Sequence, residues 1–353
     1  MSRLLEQPIN GMTYASSGVS IEAGDAAVER IRDIVATTKR PEVLGGIGGF
    51  GGLFALDTSK YTSPVLVASA DGVGTKLDIA RQVGRYDSVG VDLVAMLVDD
   101  LACVGAEPLF LLDYVAVGKL EPARLEELVT GIAEGCRIAK TALLGGETAE
   151  HAGVMAPDDL DVAGFAVGVV ERGDELGPDR VREGDVLVGF ASPGLRSNGY
   201  SLARRVLVSD VGNLSAPAWD GADHSLGDEL LVPSVIYAPT VTALRNELGA
   251  AIHACAHITG GGIVGNVARI LTPQLDAFIE MDSFETPQIF FEIQRRGHVH
   301  ADEMVRVFNC GLGMVVAVDA SAADATVSTA RANGVSAMVV GSIRAGTGEV
   351  DLS

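Results

Sequence analysis

The sequence predicts an α/β fold (α+β type) made of two α/β domains. Three observations lead there. Short apolar runs alternate with stretches of helical spacing from Val65 to the end of the chain. Several of those runs end in glycines that open the next helix, as strand-to-helix junctions do. The chain has 353 residues, more than one simple core uses. The polar stretch GDELGPDRVREGD, residues 173–185, marks the boundary, giving an N-terminal domain of residues 1–172 and a C-terminal domain of residues 173–353.

Residues 1 to about 20 are polar and without periodicity, and read as an arm. A helix follows over about 23–38, with Ala27, Ile31, Ile34 and Val35 on one face. Next comes GGIGGFGG, in which Gly45, Gly46, Gly48, Gly49 and Gly51 leave no packed element. A linker is one reading. Ile47 and Phe50 favour the other, a mobile loop that closes over a ligand. The run VLVASA then leads into Asp71-Gly72-Val73-Gly74-Thr75-Lys76 and a helix. Such a junction leaves backbone N–H groups free for an anion, with a carboxylate at one end and an ammonium at the other. It does not fit the P-loop pattern.

The following segment, about 88–105, is apolar on most sides, so its acids stand out. Asp92 and Asp99 share a helical face and Asp100 lies about a quarter-turn away. Buried acids need a cation or hydrogen-bond donors, so a metal or ligand beside them is expected ahead of an arginine partner or a solvent-touching helix surface. A buried strand (109–117) and an amphipathic helix (about 121–140) follow. ALLGGETAE reads as a short strand ending at Gly145, Gly146 and Glu147, and residues 161–171 as another strand.

In the second half, strand VLVGFA leads through Ser197 and Asn198, which suit either a helix cap or a ligand. Residues 210–228 read as an acidic surface excursion. AIHACAHI runs into Thr259, Gly260, Gly261 and Gly262, a tight turn or a second anion site. His257 beside it is more often a core residue than a catalyst. A helix within 284–300, the run FNCGLGMVVAVDA, a helix over 321–333 and strand AMVVGSI close the chain.

Composition sets limits. The net charge of −21 disfavours nucleic acid and anionic membrane as partners. A phosphate pocket must therefore be built locally. Cys103, Cys136, Cys255 and Cys310 lack metal-ligand spacing and read as reduced thiols. No apolar stretch approaches a membrane span, so a cytoplasmic location is expected.

Taken together and in order, these motifs resemble the aminoimidazole ribonucleotide synthetase family, also called phosphoribosylformylglycinamidine cyclo-ligases. The resemblance is carried by RPEVLGGIGGFGG, DGVGTK, GVDLVAM, GAEPLFLLDY, GGETAE, DVAGFAVGVVE, SNGYSL, HITGGG and FNCGLGM, spanning Arg40 to Met314. It implies a homodimer whose N-terminal domains pair their sheets, with nucleotide sites near the subunit interface. It also implies ATP-dependent ring closure of formylglycinamidine ribonucleotide to aminoimidazole ribonucleotide, through an iminophosphate, with release of ADP and phosphate.

On this resemblance Asp71 and Asp100, with Glu147 and Asp99 as further candidates, hold Mg²⁺. Lys76, Gly72, Gly74 and Thr75 neutralise phosphate, and the Gly45–Gly51 loop covers ATP. Ser197, Asn198 and Thr259–Gly262 take the substrate, and His257 hydrogen-bonds substrate or assists proton transfer. The family reads Asn-Asp where this chain has Asp99-Asp100. Related ATP users, such as selenophosphate synthetase and thiamine-monophosphate kinase, share the first motif. They tend to carry Asp at the position of His257, and the first of them a reactive residue near its N-terminus. A nucleotide-binding protein without catalysis is a further alternative, disfavoured because the phosphate and metal residues are all present.

Overall fold

The computed structural model of the chain describes residues 11–208 and 211–353. Much of the expected N-terminal arm and the start of the acidic excursion lie outside the described residues. The N-terminal half runs α1 (Ile21–Ala36), β1 (Val43–Leu44), β2 (Leu53–Phe54), β3 (Pro64–Gly72), α2 (Lys76–Val83), α3 (Asp87–Cys103), β4 (Glu107–Val117), α4 (Pro122–Ala139), β5 (Ala142–Glu150) and β6 (Leu160–Glu171). The C-terminal half runs β7 (Val186–Ala191), α5 (Tyr200–Leu207), α6 (Leu226–Leu230), α7 (Ala238–Leu248), β8 (Ile252–His257), α8 (Gly262–Val267), β9 (Leu275–Ile279), α9 (Gln288–Gly297), α10 (Ala301–Val307), β10 (Leu312–Val318), α11 (Ala323–Ala332), β11 (Ala337–Ala345) and β12 (Val350–Leu352). Among the described residues no helix is long and apolar enough to cross a membrane.

Two mixed sheets organise these elements. The first has the order β3-β6-β4-β5, with β4 and β5 parallel and the other neighbours antiparallel. The second has the order β12-β9-β11-β7-β10-β8, antiparallel except for β12 on β9. GGETAE lies within β5, so its glycines do not form the turn expected of them. Helix α3 packs on β3 and β6 and against α4, which is why it is apolar on most sides. Gly90 and Gly131 permit the close α3–α4 contact: a Cβ on Gly131 would sit 1.8 Å from the Asp87 carbonyl oxygen.

The other face of the first sheet is open and apolar. Leu66 on β3 and Phe165 on β6 are 63% and 51% exposed, and Leu112 and Tyr114 on β4 share that face. Asp113 lies between them in sequence and so points to the helix-covered side, alongside buried Leu111 and Val115. Gly146 on β5 makes room for it: a Cβ there would meet Asp113 Oδ1.

Burial pushes the Asp113 carboxyl up from 3.8 to about 7. The folded chain therefore keeps this proton between about pH 4 and 7 while the unfolded chain loses it, so stability falls as pH rises through that window. From pH 5 to 8 the loss from this one group should be about 2–3 kcal/mol. Asp113→Asn should remove that component. Urea unfolding at both pH values checks it; parallel pH profiles for the two proteins would exclude the effect.

Candidate active site

Three elements converge on a carboxylate corner. Asp71 is the penultimate residue of strand β3, the last turns of α3 carry Asp100, and β8 ends at His257. Burial raises the Asp71 carboxyl above its ordinary range and the Asp100 charge adds to that, with the Gly72 amide (2.7 Å) opposing. Asp100 Oδ1 lies 2.9 Å from His257 Nδ1. Among the described residues no lysine or arginine forms an ion pair with either carboxylate, so the two neighbouring charges leave the corner short of positive charge.

The far side of His257 meets Arg196, whose Nη2 is 2.8 Å from His257 Nε2. A guanidinium only donates, so Nε2 accepts and the ring proton sits on Nδ1, donated to Asp100. Both ring nitrogens are therefore engaged. His257 holds Asp100 in place and does not present a free acid or base, which corrects the proton-transfer role expected of it. The chain of contacts continues from Arg196 Nη2 to Asp99 Oδ2 at 2.8 Å. Asp99 Oδ1 accepts from the backbone amides of Tyr237 and Ala238 at the start of α7. Asp99 is fully buried and its oxygens are used, so it is an ion-pair partner and helix cap, not a metal ligand.

Lys76 is also corrected. Its Nζ is fully buried, 2.6 Å from Asp92 Oδ2, and donates to the carbonyl oxygens of Val232 and Arg196. Burial pushes the ammonium down from its ordinary value and Asp92 pulls it back up. Asp92 in turn accepts from the Ser234 amide and hydroxyl. With all three of its donors so placed, Lys76 does not reach a phosphate. It pins α2 and α3 to the 232–234 segment of the C-terminal half. Gly74 remains an open turn at φ +67°, while the Thr75 hydroxyl faces that of Ser201 at 3.3 Å.

Glu147 does not join Asp71 within one chain. The two lie on opposite edge strands, three strand spacings or about 14 Å apart. The Gly45–Gly51 loop is the tip of the β1–β2 hairpin. Gly45 and Gly48 have positive φ, Phe50 is wholly exposed, and Gly52 is pressed against Leu144 of β5. The loop therefore stands on the β5 side, away from Asp71 of the same chain.

Asn198 and Gly260 do come together: a Cβ on Gly260 would lie 3.6 Å from Asn198 Oδ1. The Ser197 hydroxyl is buried with no protein partner. The turn from Thr259 to Gly262 is held by Asn266 Nδ2, which donates to the carbonyl oxygens of Thr259, Gly260 and Gly262. Gly262, at φ +62°, approaches the Val305 carbonyl too closely for any side chain. Beside the carboxylate corner is a cavity of about 430 Å³, lined in part by Asp100, His257, Asn266, Arg269 and Ala70.

Arg196, Asn266 and Arg269 were missed as site residues in the sequence. Two buried acids in α3 called for buried cations, a signal that asks for partners such as Arg196 without naming them. Asn266, a polar residue in the apolar run GIVGNV, was a second signal.

Comparison with known proteins places the chain in a family. Residues 56–170 match the family described as AIR synthase related protein, N-terminal domain, and residues 182–352 match its C-terminal domain. The chain is 51% identical over 339 residues to a protein of Anaeromyxobacter sp. (strain Fw109-5) named phosphoribosylformylglycinamidine cyclo-ligase, covering 96% of this chain and 97% of that one. A protein of the same name from Myxococcus xanthus (strain DK1622) is also 51% identical, over 96% and 98%. Among solved structures, thiamine-monophosphate kinase from Stenotrophomonas maltophilia K279a superposes with a TM-score of 0.68 at 22% identity, over 93% of this chain and 96% of that one. Hydrogenase maturation protein HypE in complex with ATP gives 0.66 at 17%, over 92% and 90%. At those identities the two structures share the fold alone. The full-length identity and the paired domains carry the assignment: the chain belongs to the phosphoribosylformylglycinamidine cyclo-ligase family of AIR synthase related proteins.

Proposed function

We propose that this chain is an ATP-dependent cyclo-ligase that closes the imidazole ring of aminoimidazole ribonucleotide in purine biosynthesis. The observation that carries this reading is 51% identity along nearly the whole of two cyclo-ligases. The substrate is formylglycinamidine ribonucleotide. Its formyl oxygen is a poor leaving group until ATP phosphorylates it. The amidine nitrogen then attacks the activated carbon, and phosphate departs with that oxygen as the ring closes, leaving ADP.

The protein's task is alignment and charge control. Asp71 and Asp100 suit Mg²⁺, because their donors are carboxylate oxygens and no lysine or arginine among the described residues pairs with them. When bound, that ion would offset the charge between the phosphates and the two carboxylates. His257 fixes the orientation of Asp100 through Nδ1, and Arg196 fixes the His257 tautomer. Asn198, Ser197 and the Thr259–Gly262 turn flank the substrate end, with the Arg269 guanidinium in the cavity as a phosphate partner.

The site is completed across a homodimer. The open apolar face bearing Leu66, Phe165, Leu112 and Tyr114 is the surface that would pair, and it supports this reading. So does the separation of Asp71 from Glu147 and the glycine loop within one chain. The partner would then supply the loop and Glu147. Soluble substrates suit a cytoplasmic enzyme without nucleic-acid or membrane partners.

Purified protein with MgATP should release ADP only when formylglycinamidine ribonucleotide is added, with aminoimidazole ribonucleotide formed in equal amount. Light scattering should give about twice the chain mass of 36.5 kDa. ADP release driven instead by thiamine phosphate or selenide would overturn the reading.

A further inference from the structure

We propose that Asp185, His253 and Asp319 form a second cation site, for a divalent transition ion such as zinc, in the six-stranded sheet. It stands apart from the active site. His253 and His257 lie four residues apart on β8, about 13 Å along the strand.

Three neighbouring strands build the cluster. Asp185 immediately precedes β7, Asp319 immediately follows β10, and His253 is the second residue of β8, with β10 between the other two strands. The register of β8 on β10 shifts between Ala317 and Val318, so Ala254 and Ile252 have partners while His253 falls at the irregularity. Such a bulge re-aims a side chain. Here the ring turns between the two aspartates.

Asp185 Oδ2 lies 2.6 Å from His253 Nδ1 and also accepts from the Arg182 amide at 2.9 Å. This is the carboxylate–imidazole contact that fixes a metal-binding histidine, with the proton on Nδ1 and a lone pair on Nε2. His253 is 1% exposed, and Nε2 has no hydrogen-bond partner. It faces Asp319 Oδ1 at 3.7 Å. That gap is too long for a hydrogen bond and suits two ligands of one ion, whose bonds run about 2.0–2.2 Å each. One polar atom from each of the three residues lies within 4.8 Å of the others, with His253 Nε2 and Asp319 as the ligands and Asp185 orienting the ring from behind.

The chemistry narrows the occupant. An imidazole nitrogen with a carboxylate favours zinc and its neighbours over Mg²⁺ or Ca²⁺, which take oxygen. The Asp319 side chain is 45% exposed, so water can complete the coordination sphere and the ion can enter from that side. The ion would tie together the ends of three strands, joined at that point by backbone bonds and the Asp185–His253 contact. A proton on Nε2 is the rival occupant. It would draw Asp319 into hydrogen-bond range, which the 3.7 Å separation does not reflect.

The test is calorimetric titration of zinc alone into tag-free, chelator-stripped full-length protein, in a buffer with millimolar Mg²⁺ to occupy the carboxylate corner. The wild type should bind one more zinc per chain than Asp319→Asn, at micromolar affinity, with the variant at least about tenfold weaker at that site. His253→Gln should give the same loss. Binding at surface histidines is common to all three proteins and cancels. Asp319→Asn alters a half-exposed side chain, so its fold and its ADP release should be unchanged. Equal zinc stoichiometry and affinity in the wild type and in Asp319→Asn would overturn the site. So would a wild type that binds no zinc below millimolar concentration.

Discussion

Lys76→Met should lower folding stability by about 3–5 kcal/mol, because it leaves the Asp92 carboxylate buried without its cation. Urea unfolding of the purified variant measures this. The double variant Lys76→Met/Asp92→Asn should recover much of the loss. The asparagine keeps an oxygen for the Ser234 amide and hydroxyl while removing the stranded charge. A lysine that served a phosphate would behave in the opposite way, with activity lost and stability kept. A stability change below about 1 kcal/mol, the value typical of an exposed pair, would return Lys76 to the active site.

That reversal shows what kind of information the sequence carries. Strands and helices were legible because they are local: VLVASA, the seventeen-residue α3 and the β8 run are apolar at the right period and end at glycines. The need of buried acids for partners was legible too, from Asp92 and Asp99 in an apolar helix. The identity of those partners was not. Lys76 and Asp92 are sixteen positions apart and Arg196 and Asp99 are 97 apart; tertiary packing pairs them, α2 against α3 in the first case and the C-terminal half against α3 in the second. A motif such as DGVGTK gives residue types, and type alone does not say whether a lysine faces water or a buried carboxylate.

Sheet order was equally out of reach. Nothing in GGETAE records that β5 sits at the opposite edge from β3, so the sequence groups Glu147 with Asp71 without saying which subunit supplies each. Gly146 also had a packing reason rather than a turn reason, namely the volume of Asp113. Asp71 and Asp100 do lie near each other, because α3, reached through α2, packs back along β3.

Asp71→Asn and Asp100→Asn should each reduce turnover by about 10²–10³-fold, the usual consequence of removing one preorganised charged group, and raise the Mg²⁺ concentration needed for half-maximal rate. His257→Gln acts only through Asp100, so its effect should be about 10–100-fold in apparent Mg²⁺ affinity. Its loss should be recovered in part by added Mg²⁺, which a merely structural residue would not show. Asp99→Asn should instead lower stability, since it breaks the pair with Arg196.

The shared site makes a sharper demand. Glu147→Gln should also be slow, and through the partner's site. Refolding equal amounts of inactive Asp71→Asn and Glu147→Gln chains together should then restore about a quarter of wild-type turnover, because half the dimers are mixed and each rebuilds one site of two. A site confined to one chain gives no such recovery, whatever the dimer looks like. A mixture as inactive as its components would therefore remove Glu147 from the partner's site and leave Asp71 and Asp100 to act without it.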